Sequence, residues 1–321
     1  MGTCHLQGIF APVPTAFDGD GEVAWEHFAR NIERFGETAL DGILVLGSNG
    51  EAVALREREK IRLIETARER FPARKPVLAG VGCESLHATL ALCREAAGCG
   101  ADAVVVINPS YYRGVVGKAD VMRDYFRQVA DASPLPVLLY NMPRNTALNI
   151  PAEVISDLSA HGNIVGVKDS GGDIAQIASI IHDSEPDFAV FAGSASFLLP
   201  TLYLGGCGGT LACANIAPDL CAGILRAFRA GDHDEARRLQ MAVLHLNAAV
   251  TTAYGVAGLK YALDCLGYYG GPCRSPLPSF LPEAYRGVIR DLLQRARLLP
   301  QDGSIPRPEE EEAPSAPLGD A

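Results

Sequence analysis

Short β-branched, almost wholly apolar runs recur along this chain. They read Ile43–Leu46, Val77–Val81, Ala103–Ile107, Pro136–Tyr140, Ile164–Val167, Phe188–Phe191 and Thr210–Ala212, with a weaker opening one near Gly8–Val13. Strands with one wet face alternate apolar and polar residues; uninterrupted apolar runs predict parallel strands covered on both faces. Between them the apolar period lengthens to that of a helix: Ile61, Ile64, Ala67 and Phe71 share one face, as do Ile174, Ile177 and Ile181. Ser85 and Asp173 stand where N-caps belong.

Successive strands begin roughly every 22 to 35 residues, one β/α unit each. Eight units predict a closed (β/α)8 TIM barrel. An open doubly wound sheet would carry a glycine-rich turn after its first strand, whereas Pro14-Thr15-Ala16-Phe17 follows here. The barrel is expected over residues 7–217. Helices alone follow over 218–299, at about Pro218–Ala230, Asp232–Ala253, Gly258–Leu266 and Pro282–Ala296, as a barrel-closing helix and a C-terminal helical extension. Proline, glycine and glutamate dominate residues 300–321, which predicts a disordered tail.

At 321 residues, with 48% hydrophobic and 21% charged positions, the chain can bury a core of this size. A net charge of −10, part of it in Glu309–Glu312, and the lack of any basic stripe argue against nucleic acid or an anionic membrane as partner. No apolar run approaches the roughly 20 residues of a membrane span. Residues 1–10 resemble neither a secretory nor a transit peptide. A cytoplasmic location is expected, and a mitochondrial one if a transit peptide precedes this sequence. Nine scattered cysteines and seven scattered histidines offer no closely spaced ligand pairs, so buried thiols are expected rather than a metal site.

In such barrels chemistry collects where strands end, and three strand ends carry residues that packing does not require. The second ends in Gly47-Ser48-Asn49-Gly50-Glu51, where flanking glycines let backbone N–H groups of Gly47, Ser48 and Asn49 converge as a carboxylate nest, or make an ordinary turn. The sixth ends in Val167-Lys168-Asp169-Ser170: an amine at the tip of an apolar strand. Desolvation disfavours an ammonium and favours a nucleophilic amine; the plain alternative is an ion pair with Asp169 or Glu51. The fifth ends in Tyr140-Asn141-Met142-Pro143, placing a phenol one strand away as a candidate proton carrier, or as a packed aromatic. Ser194, after strand seven, is a further candidate substrate contact. Small Gly193 and Gly208-Gly209 either admit substrate or serve tight packing.

With Gly47–Glu51 as G-x-x-G-E, Tyr140–Pro143 as Y-N-x-P and Lys168 in Gly-Val-Lys-Asp-Ser, residues 7–280 resemble the dihydrodipicolinate synthase / N-acetylneuraminate lyase superfamily. The likeness is closest to its 4-hydroxy-2-oxoglutarate aldolase branch, through Gly82–Ser85, Tyr111–Gly114, Lys168–Asp173, Asn247–Thr251 and Gly267–Arg274. Fungal 2-keto-3-deoxy-sugar-acid aldolases are also similar, around Gly47–Val53 and Ala214–Pro218, so such an aldolase, or a related pyruvate-dependent lyase or dehydratase, is the alternative. The resemblance implies a Schiff-base aldolase acting on a small 2-oxo acid, with catalytic Lys168 and Tyr140 and no metal or organic cofactor. It also implies a homo-oligomer, a dimer of dimers, in which a tyrosine matching Tyr112 or Tyr111 reaches a neighbouring subunit's site. Dihydrodipicolinate synthases place an arginine two residues after the Y-N-x-P proline to hold a carboxylate. Here Asn145 stands there as the candidate contact, with Arg144 one earlier. Metal-dependent aldolases are disfavoured by the absence of clustered carboxylates and histidines at strand ends. A non-catalytic 2-oxo-acid binder would have no need of Lys168 and Tyr140.

Overall fold

The computed structural model describes residues 6–300. Eight parallel strands close into a barrel in chain order: β1 (Gly8–Pro12), β2 (Gly42–Val45), β3 (Val77–Gly80), β4 (Ala103–Ile107), β5 (Val137–Asn141), β6 (Ile164–Asp169), β7 (Ala189–Ala192) and β8 (Gly208–Thr210). Helices lie between the strands, and the chain is a TIM barrel with a helical C-terminal segment.

The apolar runs serve two cores, which explains why they do not alternate. Ile43, Val45, Val77, Ala79, Val104, Val106, Val137 and Leu139 face the surrounding helices, while Phe10, Leu44, Leu78, Val105, Leu138 and Phe191 fill the barrel. The interior sets large residues against small ones: a Cβ on Gly42 would stand 2.3 Å from the Phe10 ring, which meets Phe191 edge-on at 5.6 Å. Interior methylene-scale volume changes cost stability, so these pairings hold the register.

β8 departs from expectation. It covers Gly208–Thr210 rather than Thr210–Ala212, so Gly208-Gly209 lie within the strand and not before it. Two glycines carry no hydrophobic signal, yet the strand needs them: a Cβ on Gly208 would sit 2.0 Å from the Gly8 carbonyl oxygen. Gly193 likewise serves packing, since a Cβ there would stand 2.0 Å from Ser170 Oγ. In the helix Glu57–Arg70 the buried face uses Leu63, Ile64 and Ala67, with Ile61 only half-buried. In Ile174–Asp183 the fully buried pair is Ile177 and Ile180.

Ser85 accepts from Ala88 N at 3.2 Å, and Asp173 from Ala175 N and Gln176 N at 3.0 and 3.2 Å, so both act as N-caps, each worth about 1 kcal/mol. The helices Pro218–Arg229, His233–Ala248, Gly255–Cys265 and Glu283–Arg295 form the C-terminal segment. The long helix expected to Ala253 instead stops at Ala248 and continues as a π-turn, Ala249–Ala253; the next begins at Gly255, earlier than Gly258. The tail expected to be disordered falls, from residue 301 on, outside the described residues.

Candidate active site

An irregularity in β6 decides which side chain reaches the barrel mouth. Between the pairs Val137↔Ile164 and Leu138↔Gly166, β6 advances two residues while β5 advances one. This bulge sets Lys168, not Val167, beside Tyr140; bulges re-aim side chains in this way near active sites. Gly166 makes it feasible, because a Cβ there would lie 2.2 Å from the Ala189 carbonyl oxygen.

Lys168 is 3% exposed, flanked by Tyr140 on β5 and Phe191 on β7. Its Nζ stands 4.2 Å from the centre of the Tyr140 ring. Among the described residues it forms no ion pair, which corrects the plain alternative. Asp169 turns to the opposite side, accepting from Asn141 Nδ2 at 2.7 Å and from Gly171 N and Gly172 N at 2.9 and 3.2 Å. Glu51 is engaged 2.7 Å from Lys260 Nζ. The acids that sequence proximity or motif membership suggested are both occupied elsewhere, leaving a buried amine against an aromatic face.

Asn141, to which its motif position alone assigns no role, latches the two strand ends. Besides Asp169 it donates to Asn149 Oδ1 (2.8 Å), its Oδ1 accepts from Ile150 N (3.0 Å), and its carbonyl accepts from Ser170 N (2.8 Å). The Y-N and K-D dipeptides are thus a single joint. Their pairing across the β5–β6 seam is invisible until the strands are set side by side.

The β2 loop approaches from the other side, with Ser48 Oγ 3.4 Å from Tyr140 Oη. Gly50 N and Glu51 N, outside the expected nest of Gly47, Ser48 and Asn49, donate to Gly47 O and Ser48 O (3.0 and 3.2 Å). Asn49 Nδ2 is buried without a hydrogen-bond partner among the described residues. A buried donor in that state calls for a ligand or water. The loop is strained, with Leu46 at φ 59° and Glu51 at φ 54°. Left-handed non-glycine residues cost about 1–3 kcal/mol each and concentrate at functional sites. Gly80 accommodates the turned Leu46 carbonyl, 2.3 Å from where a Cβ would be.

Other expected residues do not join this cluster. Tyr111 and Tyr112 are 78% and 71% exposed and pack edge-to-face at 5.0 Å, on a loop held by Glu84. Burial works against ionised Glu84, but hydrogen bonds from Tyr111 N (2.9 Å), Ser110 N (3.0 Å) and Ser110 Oγ (3.0 Å) hold its carboxyl below the usual range. Ser194 Oγ accepts from Asn247 Nδ2 at 2.9 Å, tying β7 to the extension. Asn145 is exposed on the short helix Pro143–Thr146, with no hydrogen bond to its side chain among the described residues. Arg144 beside it donates to the π-turn carbonyls of Thr251 and Thr252 at 3.3 and 3.2 Å. Thr210 on β8 carries a buried hydroxyl without a partner among the described residues. A surface groove lined by Trp25, Arg62, Glu65 and Arg70 among others runs along the outer helices and contains none of these residues. Among the described residues no three His, Cys, Asp or Glu side chains cluster as metal ligands.

The sequence profile of the Dihydrodipicolinate synthetase family matches residues 5–295. The chain belongs to this family. Membership makes it a lyase of the aldolase type. Among curated relatives, the probable mitochondrial 4-hydroxy-2-oxoglutarate aldolase of Emericella nidulans is 36% identical over 84% of this chain and 89% of its own length. The L-threo-3-deoxy-hexylosonate aldolase of Hypocrea jecorina is 35% identical over 90% of this chain and 95% of its own. Among solved structures, that of the family member YagE from Escherichia coli K12 in complex with pyruvate superposes with a TM-score of 0.85 at 32% identity, over 92% of this chain and 99% of that one.

Proposed function

We propose that the protein is a class I aldolase that cleaves 4-hydroxy-2-oxoglutarate into pyruvate and glyoxylate through a Schiff base on Lys168. The observation that carries this reading is the buried Lys168 amine, free of any acid among the described residues, packed on Tyr140 whose hydroxyl adjoins Ser48.

Lys168 Nζ attacks the C2 ketone; the carbinolamine hydroxyl takes a proton from solvent by way of Tyr140 and leaves as water, giving a protonated imine. The iminium draws the C3–C4 bonding pair toward itself as the C4 hydroxyl loses its proton, so glyoxylate departs and a pyruvate enamine remains. C3 then takes a proton, and water hydrolyses the imine to release pyruvate. Electron demand is met by the covalent cation, so the steps need no metal or organic cofactor. Tyr140 is the proton shuttle between the C4 hydroxyl and the departing or entering water. Ser48 and Asn49, with the Gly47 backbone, hold the C1 carboxylate; Asn49 Nδ2 is the buried donor that this carboxylate would satisfy. Tyr112 completes the relay from a partner subunit in a homo-oligomer, a role supported by its exposure here. Ser194 and Asn145 are at most peripheral contacts, since the first is engaged with Asn247 and the second lies exposed on its turn.

One second reading, cleavage of 2-keto-3-deoxy sugar acids, is favoured by the deoxy-hexylosonate aldolase relative at similar identity. Both substrates share the pyruvate half of the site and differ in the aldehyde fragment. Condensing pyruvate with glyoxylate or with glyceraldehyde and comparing kcat/KM separates them. The proposal expects glyoxylate to be preferred; a preference for glyceraldehyde would replace it with the second reading.

A further inference from the structure

A second buried charge cluster sits away from Lys168 and takes no part in the chemistry above. Glu51 closes the β2 loop, and its Oε1 lies 2.7 Å from Lys260 Nζ with both side chains 1% exposed. Glu51 Oε2 accepts from Arg274 N at 2.8 Å, and Lys260 Nζ also donates to the Pro272 carbonyl at 2.7 Å. The Arg274 guanidinium grips both oxygens of Glu59 at 2.7 and 2.8 Å and donates to Gly21 O (2.8 Å) and Ala54 O (3.0 Å). Phe17 presents its ring to both cations, 4.6 Å from Lys260 Nζ and 4.4 Å from the Arg274 guanidinium carbon.

Such a cluster is a poor device for stability alone. Desolvating a buried pair offsets most of its attraction, and apolar side chains of similar volume usually hold a fold as well. Charges with fixed hydrogen-bond directions do set geometry, and the segment they hold requires that. Leu46 and Glu51 are both left-handed, and the two short 3-10 turns Ser48–Gly50 and Ala52–Ala54 follow one another. A backbone of this kind persists only where its surroundings over-determine it. Thr15 contributes one anchor, donating to Gly50 O at 2.7 Å. The cationic anchors all come from the C-terminal extension: Lys260 from the helix Gly255–Cys265, Arg274 from the segment after it.

We propose that Lys260 and Arg274 are positioning residues of the active site, clamping the Ser48–Glu51 loop through Glu51 and Glu59 so that its donors meet the 2-oxo acid's carboxylate. The role in substrate binding rests on the reading of Ser48 and Asn49 given above; the clamp itself does not. The extension is then part of the binding site without touching substrate, and its loosening weakens 2-oxo-acid binding rather than bond cleavage.

Two variants test this. Arg274→Lys keeps the charge but loses the planar fork, and Lys260→Met with Glu51→Gln removes the buried pair together, so that no lone charge is left inside. For each variant with a wild-type circular dichroism spectrum, hydrogen exchange at the Gly47–Glu51 amides is measured by mass spectrometry. The pyruvate concentration for half-maximal borohydride trapping is measured alongside it. The clamp predicts exchange faster by about tenfold or more. Ångström-scale misplacement can cost up to about 100-fold, and the half-saturating pyruvate concentration is expected to rise by about tenfold with little change in the saturating rate. Unchanged exchange in a folded variant would overturn the clamp, and faster exchange with unaltered half-saturation would overturn its role in positioning substrate. If wild-type protein is never trapped by pyruvate, the Schiff-base reading fails while the exchange comparison still decides the clamp.

Discussion

Replacing Tyr140 by Phe separates chemistry from packing at this site. The substitution keeps the ring on which Lys168 Nζ rests at 4.2 Å and removes only the hydroxyl. That hydroxyl makes one long contact, 3.4 Å to Ser48 Oγ, worth less than about 1 kcal/mol. A melting temperature lower by no more than a few degrees is therefore expected. A positioned acid–base group contributes about 100-fold or more to turnover, equivalent to about 2.7 kcal/mol of barrier. Steady-state kinetics on 4-hydroxy-2-oxoglutarate, with pyruvate release followed by a coupled dehydrogenase, should show kcat reduced on that scale. KM should change little, since the carboxylate donors on the β2 loop remain. The two magnitudes differ enough that general destabilisation cannot imitate the result. Turnover within a few-fold of wild type would refute the assignment of proton transfer to Tyr140.

Two other expectations follow from contacts at the edge of the site. Mixing inactive Lys168→Ala chains with Tyr112→Phe chains under conditions of subunit exchange should restore activity, because a hybrid can hold one site with both residues intact; no recovery would place Tyr112 outside a shared relay. The hydrogen bond from Arg274 holds Glu59 below the usual carboxyl range despite burial, so the stability it contributes is full above the unfolded-state value and is lost as pH falls through the depressed one. The melting-temperature gap between wild type and Glu59→Gln should be widest near neutrality and narrow in acid; a gap independent of pH would contradict that ion pair.

The barrel is legible because its strands are apolar on both faces, and Lys168 stands out as a candidate because a charge at the tip of such a strand has no packing reason to be there. β8 lies two residues before its apolar run since Gly208 and Gly209 contribute by having no side chain, and hydropathy does not register an absence. The π-turn at Ala249–Ala253 is indistinguishable from continuous helix in the sequence because a one-residue widening leaves the apolar period almost intact. The β6 bulge that presents Lys168, the Asn141 latch and the partnership of Glu51 with Lys260 all depend on which strands and segments become neighbours. Local patterning cannot carry that information. Motif position alone points to Asn145; the turn leaves it exposed and directs Arg144 to the π-turn.

The central claim is a covalent bond at one nitrogen. Incubating the protein with pyruvate, reducing with borohydride and mapping peptides by mass spectrometry should locate a single reduced adduct on Lys168, absent from Lys168→Ala, which should also lose activity. An adduct on another lysine, none at all, or full activity in Lys168→Ala would contradict the account.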